Sequence, residues 1–302
     1  MTESALTLRF DVVDVFADRP FTGNPLAVVH GADGLDTDRL QAIAREFNLS
    51  ETVFPLPPRA EGASYRARIF TPAEELPFAG HPSVGVAWVL ARDGVIGAGD
   101  AVQECGAGLF PVRVDAAGAR IGGGPPHVGP TLVAEPLARA VGLAAADVDP
   151  VAAAGVAGAG LDHVFLPVRP DAVARSVVPE LGQLRAAAGG RGLLTVVSLD
   201  LACRRVHARM FGPGSGVPED PATGSAAVAL GVYLVDRGLL PADGEAAFTI
   251  YQGAEMHRPS RLEVEVRARS GAAVTTSVGG RVVAVSSGQI AIPPAPIELT
   301  EQ

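Results

Sequence analysis

The feature that most constrains this chain is a unit that occurs twice. Arg66-x-Arg68-x-Phe70, an alternating extended segment, leads through a Pro-containing loop to Gly80-His81-Pro82 at the start of an apolar helix. His207-x-Arg209-x-Phe211 leads in the same way to Thr223-Gly224-Ser225 at the start of another. Strand, loop, Gly turn and buried helix in one order, twice, predict two similar halves, each wrapping a curled sheet around its own central helix. The two helix N-termini are then expected to face each other across the cleft between the halves. The length of 302 residues agrees, at roughly 150 residues per domain. The tract Gly122-Gly123-Gly124-Pro125-Pro126 is the boundary candidate, dividing the chain into residues 1–124 and 125–302, with the last strand free to return to the first half.

Composition narrows the class of sheet. With 36 Gly and 25 Pro against 11 Phe, 3 Tyr and 1 Trp, the chain punctuates its elements often, which favours many short strands and a few helices over a long-helix bundle. Extended runs are expected over 9–16, 26–30, 51–56, 65–71, 101–105, 109–114, 119–121, 161–168, 193–199, 205–211, 247–251, 262–267 and 280–292. Helices are expected over 36–47, where Leu40, Ile43, Ala44 and Phe47 keep helical spacing, from Gly80 to about 91, over 134–141 and 178–188, and from Gly224 to about 235. Residues 212–216 read as a flexible loop, continuing through Glu219-Asp220-Pro221 to the second central helix.

Several function classes fall away. A content of 48% hydrophobic and 19% charged residues supports sizeable cores and excludes a disordered chain. The net charge of −9, with no basic cluster, argues against nucleic acid as a partner. Cys105 and Cys203 have neither disulfide-scaffold numbers nor metal-ligand spacing, and a reducing compartment fits them. The N-terminal residues lack the pattern of a secretory signal, and no apolar run reaches the roughly 20 residues of a membrane span. The expectation is a soluble cytoplasmic protein that does not engage membranes.

The residues that carry chemistry cluster at the helix starts. Gly80 and Gly224 let a ligand approach the backbone where unpaired N–H groups and the helix dipole favour an anion, so they form a matched pair of carboxylate or phosphate cradles. His81 reads either as a helix cap or as a donor to substrate oxygen that exchanges a proton near neutral pH. Glu51, which opens an apolar strand, reads either as a turn residue or as a partly buried acid/base whose pKa burial raises. Asp220 reads either as a helix-start carboxylate or as a proton donor to substrate, and Glu219 beside it is expected to point elsewhere. Ser225 with His81 and Asp220 supplies the residue types of a hydrolase triad, but without the G-x-S-x-G elbow its hydroxyl reads as a substrate donor. His81, His127, His163, His207 and His257 are scattered, so no metal site is expected, and no nucleotide fingerprint is present.

Six segments together resemble a known family. Asp14-Val15-Phe16, Phe21-Thr22-Gly23-Asn24-Pro25-Leu26-Ala27-Val28, Asn48-Leu49-Ser50-Glu51-Thr52, Arg68-Ile69-Phe70-Thr71-Pro72, Glu75-Leu76-Pro77-Phe78-Ala79-Gly80-His81-Pro82 and Glu219-Asp220-Pro221-Ala222-Thr223-Gly224-Ser225-Ala226 occur in the order seen in the PhzF-like phenazine-biosynthesis isomerases. Gln252-Gly253 and Arg258-Pro259-Ser260 extend the match along nearly the whole chain. The resemblance implies the diaminopimelate-epimerase-like α+β fold: two similar halves, each a mostly antiparallel barrel-like sheet around a central helix. It also implies a homodimer, no cofactor, and isomerisation of a small carboxylate-bearing metabolite by acid/base proton transfer. In the phenazine enzyme that metabolite is trans-2,3-dihydro-3-hydroxyanthranilate. By the same resemblance Glu51 moves the proton, His81 and Asp220 position or relay protons, and Gly80, Gly224 and Ser225 bind substrate. Superfamily epimerases carry two cysteines at the positions of Ala79 and Thr223, so two-thiol racemisation is disfavoured here. His257 stands where the family often has glycine, and is expected to narrow or polarise the neighbouring pocket. The competing readings are a binding protein that keeps the fold without turnover, and a hydrolase using Ser225.

Overall fold

The structure is a computed structural model that describes residues 6–214 and 217–294. Its first elements are β1 (Thr7–Val15), β2 (Asn24–Val29), α1 (Thr37–Phe47), β3 (Glu51–Leu56), β4 (Tyr65–Phe70), β5 (Glu75–Leu76), α2 (Gly80–Arg92), β6 (Gly99–Cys105), β7 (Gly108–Val114) and β8 (Gly118–Gly122). They continue with β9 (Pro126–Thr131), α3 (Ala134–Ala140), β10 (Gly155–Ala159), β11 (Asp162–Pro167), α4 (Pro170–Arg175), α5 (Leu181–Ala187), β12 (Leu194–Asp200), β13 (Arg205–Gly212) and β14 (Val217–Asp220). Helix α6 (Gly224–Asp236), β15 (Gly244–Gln252), β16 (Ser260–Arg269) and β17 (Ala272–Ala291) complete the order.

In the first half the sheet closes on itself through β1, β2, β3, β4, β6, β7, β8, β17 and back to β1. In the second, β9 to β13 continue through β15 and β16 to the start of β17. Pairing is antiparallel except at β2–β3, β4–β6, β11–β12 and β13–β15, and these parallel pairs occupy corresponding places in the two halves. The fold is the α+β architecture expected of diaminopimelate-epimerase-like proteins. Strand β17 serves both sheets, pairing with β16 over Ala272–Gly279, with β8 over Ser277–Arg281 and with β1 over Val282–Ala291. It begins eight residues before the expected position 280, because its first four residues, Ala272–Thr275, are exposed or half-buried and carry little apolar signal.

Helices α2 and α6 each run through the middle of one sheet. Their sequences are small or apolar on every side, as suits helices enclosed all round, and α6 is buried at all positions from Ala226 to Val235. Each enclosed Val or Leu contributes about 1.5–3 kcal/mol relative to exposure, so these helices anchor their sheets. Helix α1 instead packs one face, Leu40, Ile43 and Ala44, under β1–β4, with Asp36 capping its N-terminus by accepting from the Arg39 N–H.

The sequence repeat is also a repeat of contacts. Phe70 of β4 pairs with Glu75 of β5, and Phe211 of β13 pairs with Glu219 of β14. In the first case Arg68 makes a two-pronged bond to Glu75 (2.7 and 2.6 Å) and lies 5.2 Å from the Phe70 ring centre. In the second Arg209 holds Glu219 in the same way (2.8 and 2.8 Å), 5.0 Å from the Phe211 ring centre. Glu219 therefore points away from the cleft, as expected of it. Glu219 and Asp220 lie in β14, a strand where a loop was expected; Ser215 and Gly216 of that loop lie outside the described residues. The expected helix over 178–188 starts only at Leu181, after Pro179, and the short helix α4 before it has too few turns to show a periodicity.

Candidate active site

Each central helix starts at a glycine, and the two starts touch. A methyl group at Gly80 would lie 3.2 Å from Gly224 Cα, and one at Gly224 would lie 3.3 Å from Gly80 Cα, so only glycine lets the two backbones come this close. Neither Ala79 nor Thr223, the residues that precede the helices, caps its helix with a side chain. First-turn N–H groups have no intrahelical acceptor, so those of Gly80, His81, Gly224 and Ser225 converge where the helices meet, a concentration of donors that favours a bound anion.

Glu51 reaches this junction through a tight turn. Asn48, in the left-handed region at φ 48°, ends α1 by donating its N–H to Ala44 O, and three residues later Glu51 opens β3 beside Leu26 of β2. Its side chain is 16% exposed while Oε2 is enclosed, so the carboxyl sits in a wall of the cleft with one edge open. Burial, reinforced by the nearby Asp220 charge, pushes its pKa up to about 8. His81 Nδ1 lies 3.3 Å from Glu51 Oε2. Burial pulls the His81 pKa down to about 3 against the opposing pull of the Pro25 carbonyl, so the imidazole is neutral at physiological pH. A neutral ring at this distance can position Glu51 through a hydrogen bond.

Asp220 comes from the other half and is held on both oxygens. Asn24 Nδ2 donates to Oδ1 (2.8 Å) and to Ala222 O (3.1 Å), and Thr223 Oγ1 donates to Oδ2. Gln252 Nε2 donates to the Asp220 carbonyl (2.7 Å) and to Thr223 Oγ1 (3.1 Å). Burial raises the Asp220 pKa and outweighs these hydrogen bonds, which favour the charged form. The Thr223 hydroxyl thus serves to orient a carboxyl.

Ser225 does not join His81 and Asp220 in a triad. Its Oγ lies 3.1 Å from Nε2 of His163, a fully buried residue of β11, while Asp220 is occupied by Asn24 and Thr223. The sequence reading gave no role to His163, Asn24 or Gln252. One signal was available for His163: a lone imidazole heading the apolar run Val164-Phe165-Leu166. His257 is exposed and adopts φ 57°, in the left-handed region that glycine enters most readily.

Two other features lie apart from the junction. Asp11, His30 and Asp93 bring ligand-type atoms together, a cluster that the spacing of the histidines did not reveal. Arg9 and Arg92 are ion-paired to both carboxylates, so the charge a cation would need is already neutralised. A groove of about 1380 Å³ runs along β6–β9 and β15–β17, but none of Glu51, His81, Asp220 and Ser225 lines it, and the convergent chemistry is at the helix starts. Burial pushes the Cys105 thiol up, and Asp200 does the same to Cys203, so neither is activated as a nucleophile. Among the described residues no helix is long and apolar enough to cross a membrane.

Comparison with known proteins agrees with this arrangement. Residues 13–288 match the family model of phenazine biosynthesis-like proteins. An uncharacterized isomerase of Mesorhizobium japonicum is 35% identical over 95% of this chain and 99% of its own. The trans-2,3-dihydro-3-hydroxyanthranilate isomerase of Pseudomonas aeruginosa is 32% identical over 93% of this chain and 98% of its own. The crystal structure of a PhzF-family phenazine biosynthesis protein of Bacillus anthracis superposes with a TM-score of 0.85 at 26% identity, covering 95% of this chain and all of that one. Matching motifs, fold and length along nearly the entire chain establish an isomerase-type enzyme that belongs to the PhzF/PhzC phenazine-biosynthesis-like isomerase family.

Proposed function

We propose that this chain shifts a proton between carbons of a small carboxylate-bearing metabolite, with Glu51 as the group that takes and returns the proton. The observation that carries this reading is a largely enclosed carboxyl, 3.3 Å from the His81 ring at the meeting of the two helix starts, whose pKa burial and the nearby Asp220 raise to about 8. Such a group has appreciable populations of acid and base near neutral pH, which a proton shuttle needs. The first-turn N–H groups of α2 and α6 and the Ser225 hydroxyl hold the substrate oxygens, and placing the carbon beside Glu51 lowers the barrier by positioning. Ionised Glu51 removes a proton from one carbon, negative charge builds on the conjugated oxygens held by the helix starts, and the protonated carboxyl returns the proton to another carbon. No net oxidation occurs and the enzyme ends as it began. Neutral His81 steadies Glu51, and Asp220, whose pKa burial raises, positions a polar substituent of the substrate or relays a proton to it.

The P. aeruginosa relative makes trans-2,3-dihydro-3-hydroxyanthranilate the first compound to test, within a panel of unsaturated amino and hydroxy carboxylates. Turnover in D₂O places deuterium at the receiving carbon, and Glu51→Gln abolishes both exchange and isomerisation. Full turnover by that variant overturns the assignment. Association as a homodimer belongs to the same proposal and is read by light scattering of the intact chain.

A further inference from the structure

A buried histidine next to the site has no part in the scheme above. His163 is fully enclosed, its Nδ1 has no hydrogen-bond partner among the described residues, and its Nε2 lies 3.1 Å from Ser225 Oγ. The repeat shows that the fold does not require a polar group there. Phe70 and Phe211 correspond, and they pair with Thr52 and Leu194 respectively. Those two in turn pair with Ala27 and Val164, so the residue corresponding to His163 is Leu26, which packs against Gly85 of α2. An imidazole stands where the other half has a leucine, next to Ser225 in the first turn of α6.

We propose that His163 is a positioning residue that, as the Nε2–H tautomer, donates to Ser225 Oγ and thereby turns the serine proton toward a substrate oxygen at the helix junction. A neutral imidazole has one donor and one acceptor nitrogen. In the opposite tautomer the N–H would sit on Nδ1, buried without an acceptor, while Ser225 spent its own proton on Nε2. Buried donors without partners are rare in folded proteins, so the partnerless nitrogen is the one without the proton. The ring also stays neutral, because burial pulls its pKa to about 4 although the adjacent Asp162 charge opposes this. The arrangement gives Ser225 a fixed polarity: acceptor toward the wall, donor toward the ligand. It is the reverse of a serine nucleophile, whose proton must pass to the histidine. This inference rests on the junction being the substrate's oxygen site, but its test does not depend on a known substrate.

Long-range ¹H–¹⁵N correlation spectra of the intact protein labelled at its six histidines report each tautomer, and a His163→Gln spectrum assigns the resonance. The expected result is a neutral Nε2–H ring at His163 throughout pH 5–9, with its Nε2 signal moved by Ser225→Ala. A fluorophosphonate probe leaves Ser225 unmodified. An Nδ1–H tautomer, a ring that gains a proton near pH 7, or a covalent adduct on Ser225 overturns the proposal. With a substrate from the exchange panel, His163→Leu raises KM about tenfold or more, and His163→Gln, which keeps a donor close to the Nε2 position, restores most of that loss. Active Glu51→Gln protein together with the expected His163 spectrum would remove the proton-transfer reading and leave this one standing.

Discussion

Replacing Glu51 by Gln is expected to stabilise the protein, and only at the upper end of the pH range. The native state holds the Glu51 proton with a pKa of about 8, against an ordinary value of 4.5. Between those values the folded chain binds a proton that the unfolded chain has released, so stability falls as pH rises. The contribution is fully present below about 4.5 and fully lost above about 8. The displacement corresponds to on the order of 4–5 kcal/mol, a ceiling because relaxation of the cleft lowers it. A glutamine is neutral at every pH and nearly the same shape, so it does not carry this penalty. At pH 5, where Glu51 is also neutral, the two proteins should unfold within about 1 kcal/mol of each other. At pH 8.5 the variant should be more stable by several kcal/mol, roughly 5–10 °C in Tm for a chain of this size. Urea unfolding and calorimetry at half-unit pH steps give the difference curve, from which pH-independent effects of the substitution cancel. A difference that stays flat from pH 5 to 8.5 would refute the claim that the folded protein holds Glu51 protonated at neutral pH. Loss of turnover with a gain in stability would mark Glu51 as a group retained at a cost to the fold.

The same carboxyl sets a rate profile. If its ionised form takes the proton, kcat/KM should climb about tenfold per pH unit below a pKa near 8 and level above it, as initial rates across pH 5.5–9.5 will show. Gly224→Ala should fold normally, since no left-handed conformation is needed there. It must nonetheless push the helix starts apart by a few tenths of an ångström, because its methyl would lie 3.3 Å from Gly80 Cα; a roughly 10- to 100-fold loss of kcat/KM is expected from steady-state kinetics. Arg209→Met strands the enclosed Glu219 and should cost about 3–5 kcal/mol in urea unfolding. Its counterpart Arg68→Met faces a Glu75 whose side chain is 37% exposed against 12% for Glu219, and should cost about 1 kcal/mol or less.

Much of the site was legible because its parts are local. A strand motif, a glycine and an apolar run lie within about thirty residues of one another in each half, and their repetition implied two central helices with opposed N-termini. The turn Asn48-Leu49-Ser50 needs only a residue tolerant of the left-handed region before Glu51, and that too is written in neighbouring residues. The partnerships were not legible. Asn24 meets Asp220 across 196 positions, and His163 meets Ser225 across 62. Neither pair has a spacing rule, because strand order and register bring the partners together. The triad suggested by residue types failed for the same reason: His81 follows α2 to Glu51, while β11 carries a different histidine to Ser225.

The amino-acid sequence by itself determined most of the longer elements, the repeated strand–loop–helix unit and the chemical types at the helix starts, since propensity, periodicity and backbone conformation are properties of short segments. Tertiary structure alone decided the protonation states and pairings. The same glutamate would titrate as an ordinary carboxyl in an open chain, and burial beside Asp220 brings it to about 8. Likewise the same imidazoles would charge near pH 6.5 in water, and enclosure holds His81 and His163 neutral, at about 3 and about 4. Desolvation and proximity depend on what the rest of the chain places around a group, which no short stretch of sequence encodes.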